Sequence, residues 1–249
     1  MHATRRLVGC GHVFPVHAHA GWSVATVQAG AADLRASRGS HVAGAGAVTV
    51  LHPGEAHRSR THRTDGLDYV VVDLDEDTAT KLHGRQGVPT FASCVIDDPQ
   101  CAAGLREAYR LQHAGARAPA ENAFAAVLAQ LFTRHAGRSA ASAEGTSNTV
   151  RTVCDHLDRH SSELVTLVEL AELAQVSVAT LMRRFQDEIG MTPHRYLLSR
   201  RIDRAKDMLG RGTPIVEVAA RTGFADQSHL HRQFTRCVGV TPGRFRAGH

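Results

Sequence analysis

The period of hydrophobic and polar positions changes near residue 97. Up to residue 95 the chain runs in short β-rich stretches, at 23–27, 47–51 and 69–74, cut by Gly30, Gly39, Gly44, Gly46 and Pro53-Gly54. Several short strands at this spacing predict an all-β barrel or sandwich. Beyond residue 97 the apolar positions recur at helical spacing. Leu105, Tyr109 and Gln112 lie along 99–113, and Phe124, Val127, Leu128, Leu131 and Phe132 lie along 119–136. The loop from His113 to Pro119 joins these two into a helical hairpin. Residues 137–148, GRSAASAEGTSN, are small and polar and read as a linker. A further helix is expected near 150–160.

The last third contains a repeat with an offset of 49 residues. Ala171, Ala174, Ser177, Leu181, Arg183, Phe185, Gly190, Thr192, Pro193 and Tyr196 recur as Ala220, Gly223, Asp226, Leu230, Arg232, Phe234, Gly239, Thr241, Pro242 and Phe245. Each copy predicts a short helix, a tight turn at Ala174 or Gly223, and a second helix capped by Ser177 or Asp226. Gly190 and Gly239 suit the left-handed position that ends a helix. Two copies are too few for a solenoid, and a pair of helix-turn-helix motifs points to DNA. Thr192-Pro193 should start a connecting helix that runs to about Leu209, long enough to set two reading helices about one DNA turn apart.

Within each second helix, Leu181 and Phe185, or Leu230 and Phe234, mark the buried face. The opposite face carries Ala179, Met182, Arg183 and Gln186 in the first copy, and Ser228, His231, Arg232 and Thr235 in the second, with Gln227 at the helix start. With Ser177 and Thr180, the expected DNA-binding set is Ser177, Ala179, Thr180, Met182, Arg183, Gln186, Gln227, Ser228, His231 and Arg232. Arg and Gln can bond bidentately to guanine and adenine in the major groove.

Charge agrees with this. Residues 148–249 hold 15 Lys and Arg against 11 Asp and Glu, whereas residues 1–147 hold 14 against 13. The excess therefore sits in the repeat half, as a polyanionic partner would require. No apolar run reaches the roughly 18 residues of a membrane helix, and Arg5-Arg6 is followed by no signal-like core, so a cytoplasmic protein without membrane contact is expected. The five cysteines, Cys10, Cys94, Cys101, Cys154 and Cys237, are scattered and form no CxxC, which favours reduced thiols. There is no GxSxG, Walker loop or dinucleotide fingerprint, so no enzyme is expected. The acidic run Asp73, Asp75, Glu76, Asp77 reads as a solvated turn.

The stretch LAELAQVSVATLMRRFQDEIGMTPHRYLLSRRIDRAKDML, followed by IVEVAARTGFADQSHLHRQFTRCVGVTPGRFR, resembles the AraC/XylS transcription regulators over about 164–246. The resemblance implies a seven-helix DNA-binding domain in which Ala179, Met182, Arg183, Gln227, Ser228, His231 and Arg232 face the bases, and Arg201 is structural. Ala179 and Met182 depart from a hydrogen-bonding pattern, so the first helix would read thymine methyls and shape, or mainly position the protein.

At the front, His17 and His19 form an HxH, placed on one face if 14–20 is a strand, and residues 53–57 form a PGxxH ending at His57. This pair resembles the two motifs of the cupin barrel and the effector-binding arm of the same regulators. The glutamate of a cupin metal site is missing, since its slot falls at Ser23 or Val24. Three readings of His17, His19 and His57 stand: a divalent metal site in a chain otherwise expected to need no cofactor, an organic-effector pocket with Trp22 and Tyr69 as further lining, or structural histidines.

These expectations combine into a two-domain α+β protein. Residues 1–96 would be a cupin-like effector-binding barrel, 97–137 a helical hairpin pairing two copies as a homodimer, 138–147 a linker, and 148–249 the DNA-binding domain. Its partners would be double-stranded promoter DNA, a small-molecule effector and RNA polymerase. A metal or redox sensor using the histidines or cysteines is the alternative, and a cupin enzyme with a DNA-binding tail a remote one.

Overall fold

Strands fill the first part of the chain and helices the rest. The computed structural model describes residues 2–9, 12–62, 66–84, 88–139 and 147–247. In chain order the elements are β1 (His2–Gly9), β2 (Val13–His17), β3 (Trp22–Ala36), β4 (Gly39–Gly44), β5 (Val48–Leu51), β6 (His57–Thr61), β7 (Leu67–Leu74), α1 (Glu76–His83), β8 (Val88–Thr90) and β9 (Val95–Ile96). They continue with α2 (Pro99–His113), α3 (Arg117–His135), β10 (Gly137–Ser139), α4 (Asn148–Arg159), α5 (Leu167–Leu173), α6 (Val178–Ile189), α7 (Pro193–Gly210), α8 (Ile215–Arg221), α9 (Gln227–Val238) and α10 (Pro242–Ala247). Packing divides them into two units. One comprises Met1–Val13, Gly21–Pro53 and Arg58–Ala140; the other comprises Phe14–Ala20, Gly54–His57 and Ala141–His249.

An antiparallel sheet organises the first unit, with β1, β7, β3, β5 and β9 side by side in that order and β4 on the far half of β3. The long strand β3 is the hub. Its first half pairs with β5 and β7, placing Trp22 opposite Leu74 and Ser23 opposite Leu51, and its second half pairs with β4. Alternation sends Trp22 and Val24 to one face, where the α2–α3 hairpin covers them. Asp98 starts α2 by accepting from the Cys101 amide at 2.9 Å, with Pro99 in the first turn. Trp22, Phe91 and Phe132 meet edge to face, with centroids 5.2–5.8 Å apart. Each such buried side chain contributes about 1.5–3 kcal/mol relative to exposure.

Two sequence expectations change here. The acidic run is not merely a turn. Asp75 caps α1, accepting from the Thr78 amide at 2.7 Å, and Gly84 closes the helix with φ of 63°. Glu76 and Asp77 lie in the first turn, where the helix dipole favours negative charge. The apolar stripe of the hairpin is also not left for a second copy. Leu105, Phe124, Val127, Leu128, Leu131 and Phe132 are all buried in this unit's own core, with Tyr109 packed against it. Of the expected linker, residues 140–146 lie outside the described residues, as does Cys10.

Among the described residues the second unit contains seven helices, α4–α10. Side chains close the first turn of most of these helices, α8 after Pro214 being the exception. Ser147 caps α4, Thr166 and Glu169 form a reciprocal capping box on α5, and Thr192 caps α7. Tyr196 of α7 donates to Asp158 of α4, and the Arg200 guanidinium lies 4.5 Å over the Tyr196 ring while bonding Asp158 at 2.8 Å. Arg201 donates to the Ser161 and Glu163 carbonyls, a structural role. Val16, Ala18 and Ala56 share the core of α4, α5 and α6 with Val150, Leu157, Leu170, Leu181 and Phe185.

Candidate nucleic-acid interface and histidine cluster

Helices α6 and α9 are 12 residues each and begin and end alike. Ser177 accepts from the Thr180 amide, and Asp226 from the His229 amide. Gly190 and Gly239 close the two helices with φ of 79° and 83°. Leu181, Phe185, Leu230 and Phe234 are fully buried, which fixes the opposite faces outward. There Ala179, Arg183, Gln186, Gln227, Ser228, His231 and Arg232 are exposed, and Met182 and Thr180 half-buried. Ser177 is exposed but its hydroxyl is committed to the cap and to the Thr180 hydroxyl at 2.9 Å. Thr235 is partly buried on α9.

The turns differ by one residue. In the first copy the helix runs to Leu173, Ala174 stays right-handed, and Gln175 takes the positive φ of 54°. In the second, α8 stops at Arg221 and Gly223 takes φ of 78°. The expected turn at Ala174 is therefore displaced to Gln175. A non-glycine residue there is strained, because its Cβ approaches the following carbonyl.

His17, His19 and His57 meet in the second unit, with ligand atoms that all lie within 4.8 Å of one another. Ring centroids are 4.3 Å apart for His17 and His57, 4.9 Å for His17 and His19, and 5.0 Å for His19 and His57. Only His17 belongs to β2; the strand ends there and His19 lies beyond it, so a shared strand face is not what brings the rings together. Two rings are oriented by backbone. His17 Nδ1 donates to the Pro15 carbonyl at 2.7 Å and His57 Nδ1 to the Glu55 carbonyl at 2.9 Å. A carbonyl only accepts, so in the neutral rings Nε2 carries the lone pair. Burial, with help from the neighbouring histidines, holds His17 well below the usual imidazole range and lowers His57 to about 3.

Helix α7 supports the cluster. The Ala18 amide donates to Ser199 Oγ at 3.3 Å and the Ala20 amide to Asp203 Oδ2 at 2.6 Å. His19 Nδ1 lies 3.9 Å from Asp203 Oδ1, and Lys206 and Arg200 approach the same carboxylate at 3.5 and 3.8 Å. Burial pushes Asp203 up, but Lys206, His19 and Arg200 outweigh it, and the carboxyl sits below its ordinary range. Ser199, Asp203 and Lys206 were not singled out from sequence. Their signal was available: polar residues at helical spacing on the inward side of an otherwise apolar helix face.

Residues 6–136 match the family described as AraC-like ligand binding domain, and residues 170–248 match the helix-turn-helix domain. The chain belongs to the AraC/XylS family of transcription regulators. It is 29% identical to the uncharacterized HTH-type transcriptional regulator YbfI of Bacillus subtilis over 231 residues, 90% of this chain and 84% of that one. A shorter match, 38% over 72 residues, joins 28% of the chain to 25% of the RCS-specific HTH-type transcriptional activator RclR of Escherichia coli. Among solved structures, ToxT of Vibrio cholerae O395 superposes with a TM-score of 0.64 at 12% identity, covering 99% of this chain and 97% of that one. ToxT bound to an unsaturated fatty acid does so with 0.59 at 11%, covering 98% and 94%. The chain thus combines an AraC-like ligand-binding domain with a helix-turn-helix DNA-binding domain, and its fold is like that of ToxT.

Within this AraC-type architecture the two aromatic residues expected to line an effector pocket, Trp22 and Tyr69, pack in different clusters. Trp22 is 1% exposed and packs with His52, Phe91 and Phe132 in the main core of the first unit, while Tyr69 lies against a separate cluster of Val27, Ala32, Ala43 and Leu67. The thiols also change the picture. Burial pushes Cys101 and Cys154 up to about 12 and Cys237 to about 11, so at neutral pH they are protonated and poor nucleophiles.

Proposed function

We propose that this AraC-type regulator reads two successive major-groove segments of promoter DNA with α6 and α9, and that a small organic effector acting on residues 6–136 sets its DNA affinity. The observation that carries the reading is the outward presentation of Arg183 and Arg232 at equivalent positions of two identically capped helices, with Gln227, Ser228 and His231 beside the second. Connecting helix α7 has 18 residues, about 27 Å at the usual rise, close to the separation of adjacent major grooves on one face of the duplex. The protein acts by binding, without turnover, in the cytoplasm, and its output passes through RNA polymerase. Homodimerisation stays in the proposal as a property of 97–137, but the buried stripe supplies no argument for it, and sedimentation of the full chain at micromolar concentration tests it. A monomer at that concentration removes it.

For the effector, the first unit offers an apolar interior, and among the buried polar atoms of the described residues that lack a partner are Trp22 Nε1 and Thr26 Oγ1, on the same side of β3. They suit a ligand with an apolar body and a polar head, the class to which the fatty acid of ToxT belongs. A thermal-shift screen of the full chain with fatty acids, aromatic acids and sugars tests this, since a ligand of the folded state raises its stability with concentration. DNA binding is tested by titrating promoter fragments at several salt concentrations. Affinity should fall steeply as salt rises, because Lys and Arg displace counterions from phosphates; absence of specific binding at every salt would end the regulator reading.

A further inference from the structure

Three imidazoles do not gather in a protein interior without a cause. Apolar packing places alkyl and aryl groups together, whereas His17, His19 and His57 put ring nitrogens within 4.8 Å of one another. His17 and His57 have Nδ1 hydrogen-bonded to the Pro15 and Glu55 carbonyls, and His19 Nδ1 faces the Asp203 carboxylate at the longer distance of 3.9 Å. That is the arrangement in which a metal-ligating histidine is held by the groups behind it, leaving Nε2 for the ion. Exposure is graded as well. His17 and His57 are 7% and 4% exposed, and the His19 side chain 13%, so the cluster keeps one accessible flank.

We propose that His17, His19 and His57 bind one divalent transition-metal ion, zinc being the best match, through their Nε2 atoms, and that Asp203 of α7 positions His19 for it. Three imidazoles leave zinc a fourth position for water or an exogenous ligand, which characterises an exchangeable ion more than a closed structural one. The surrounding charge does not forbid a cation. Asp203 and the buried Glu55 stand against Lys206 and Arg200, and both cations are drawn to Asp203.

The consequence lies in α7. This helix joins the two reading motifs, and the histidine segment is fastened to it at Ser199 through Ala18 and at Asp203 through Ala20. An ion that tightens the three rings thereby acts on the segment that α7 holds, and metal and DNA become linked ligands. Linkage requires the factor by which metal changes DNA affinity to equal the factor by which DNA changes metal affinity. This coupling rests on the DNA-binding reading above; the metal site does not.

The test uses the untagged full chain, stripped with chelator and titrated with Zn²⁺, and with Co²⁺ as a spectroscopic substitute. Expected are one ion per chain and visible Co²⁺ bands of a nitrogen-rich site of low coordination number. H17Q/H57Q should abolish both, with thermal unfolding to verify its fold, and Asp203→Asn should weaken zinc about 10–100-fold while retaining the bands. Should H17Q/H57Q not fold, the bands and the Asp203→Asn shift decide alone. No stoichiometric ion, or binding unaltered in a folded H17Q/H57Q, overturns the site. DNA titrations of the stripped and zinc-loaded protein should differ about 5–150-fold. Equal affinities for a specific operator overturn the coupling and leave the site standing. No specific DNA binding in either form means that the regulator reading has failed, and the coupling with it.

Discussion

The first helix-turn-helix, α5–α6, and the second, α8–α9, rest on the same interior contacts and present different exteriors. Phe185 meets Tyr196 and Phe234 meets Phe245 in nearly the same edge-on geometry, at 5.7 and 5.4 Å. Caps and helix lengths agree as well. Outside, the first motif offers Ala179 and Met182 where the second offers Ser228 and His231. The first motif also shares its core with Val16, Ala18 and Ala56. The repeat therefore retains what folding requires and varies what partners see. The second motif presents the more polar outward face, and the first is joined to the histidine segment.

The strongest way to break this comparison is to truncate the shared interior. Leu181→Ala and Leu230→Ala should each cost about 2–5 kcal/mol in denaturant unfolding of the full chain, since both side chains are fully buried. A cost under about 1 kcal/mol in either would mean that the two interiors are not equivalent. Next comes the exterior. Arg232→Ala should weaken specific DNA binding by about 1–3 kcal/mol and relax base preference at its half-site, without a comparable loss of thermal stability. Arg183→Ala should cost less, because its helix carries fewer polar neighbours. Equal effects on sequence preference would remove the asymmetry between the two faces.

The turns give a finer contrast. At Gly223 an added Cβ would lie 2.7 Å from the Ser162 carbonyl oxygen with φ at 78°, so Gly223→Ala should destabilise by about 1–3 kcal/mol. Gln175→Gly, at φ of 54°, should do the opposite and stabilise by up to about 1 kcal/mol. Thermal melts of both variants would show whether one turn is relaxed and the other strained.

The helical half was legible because its signals are local. Ser177, Asp226, Gly190, Gly239 and Thr192-Pro193 announce their positions within a turn or two of the chain, and α7 runs from Pro193 nearly to where its pattern ends. The signals of helix α1 are equally local, but Asp75, Glu76 and Asp77 fit a solvated turn in sequence as well as they fit a capped first turn. The candidate site was legible only in part. HxH and PGxxH marked three histidines that do converge, but their backbone is fastened to Ser199 and Asp203, about 180 residues away, and helical spacing shows that α7 has an inward polar face without showing which segment meets it. Trp22 and Tyr69 illustrate the same limit from the other side: Trp22 is core of one cluster, and Tyr69, partly buried, packs against another.

That residues 14–20 and 54–57 pack as part of the helical unit bears on how such regulators can be recombined. A cut in the linker looks like a clean seam in the sequence, yet it strips Val16, Ala18 and Ala56 from a core containing Val150, Leu157 and Phe185 and leaves apolar surface uncovered. Fragments beginning near residue 148 should be prone to associate through that surface. A chimaera that grafts a foreign sensor onto this DNA reader inherits working contacts only if the donor supplies equivalents of the two small segments. The unit of inheritance is therefore discontinuous, and exchange between relatives is restricted to partners that match at all three pieces.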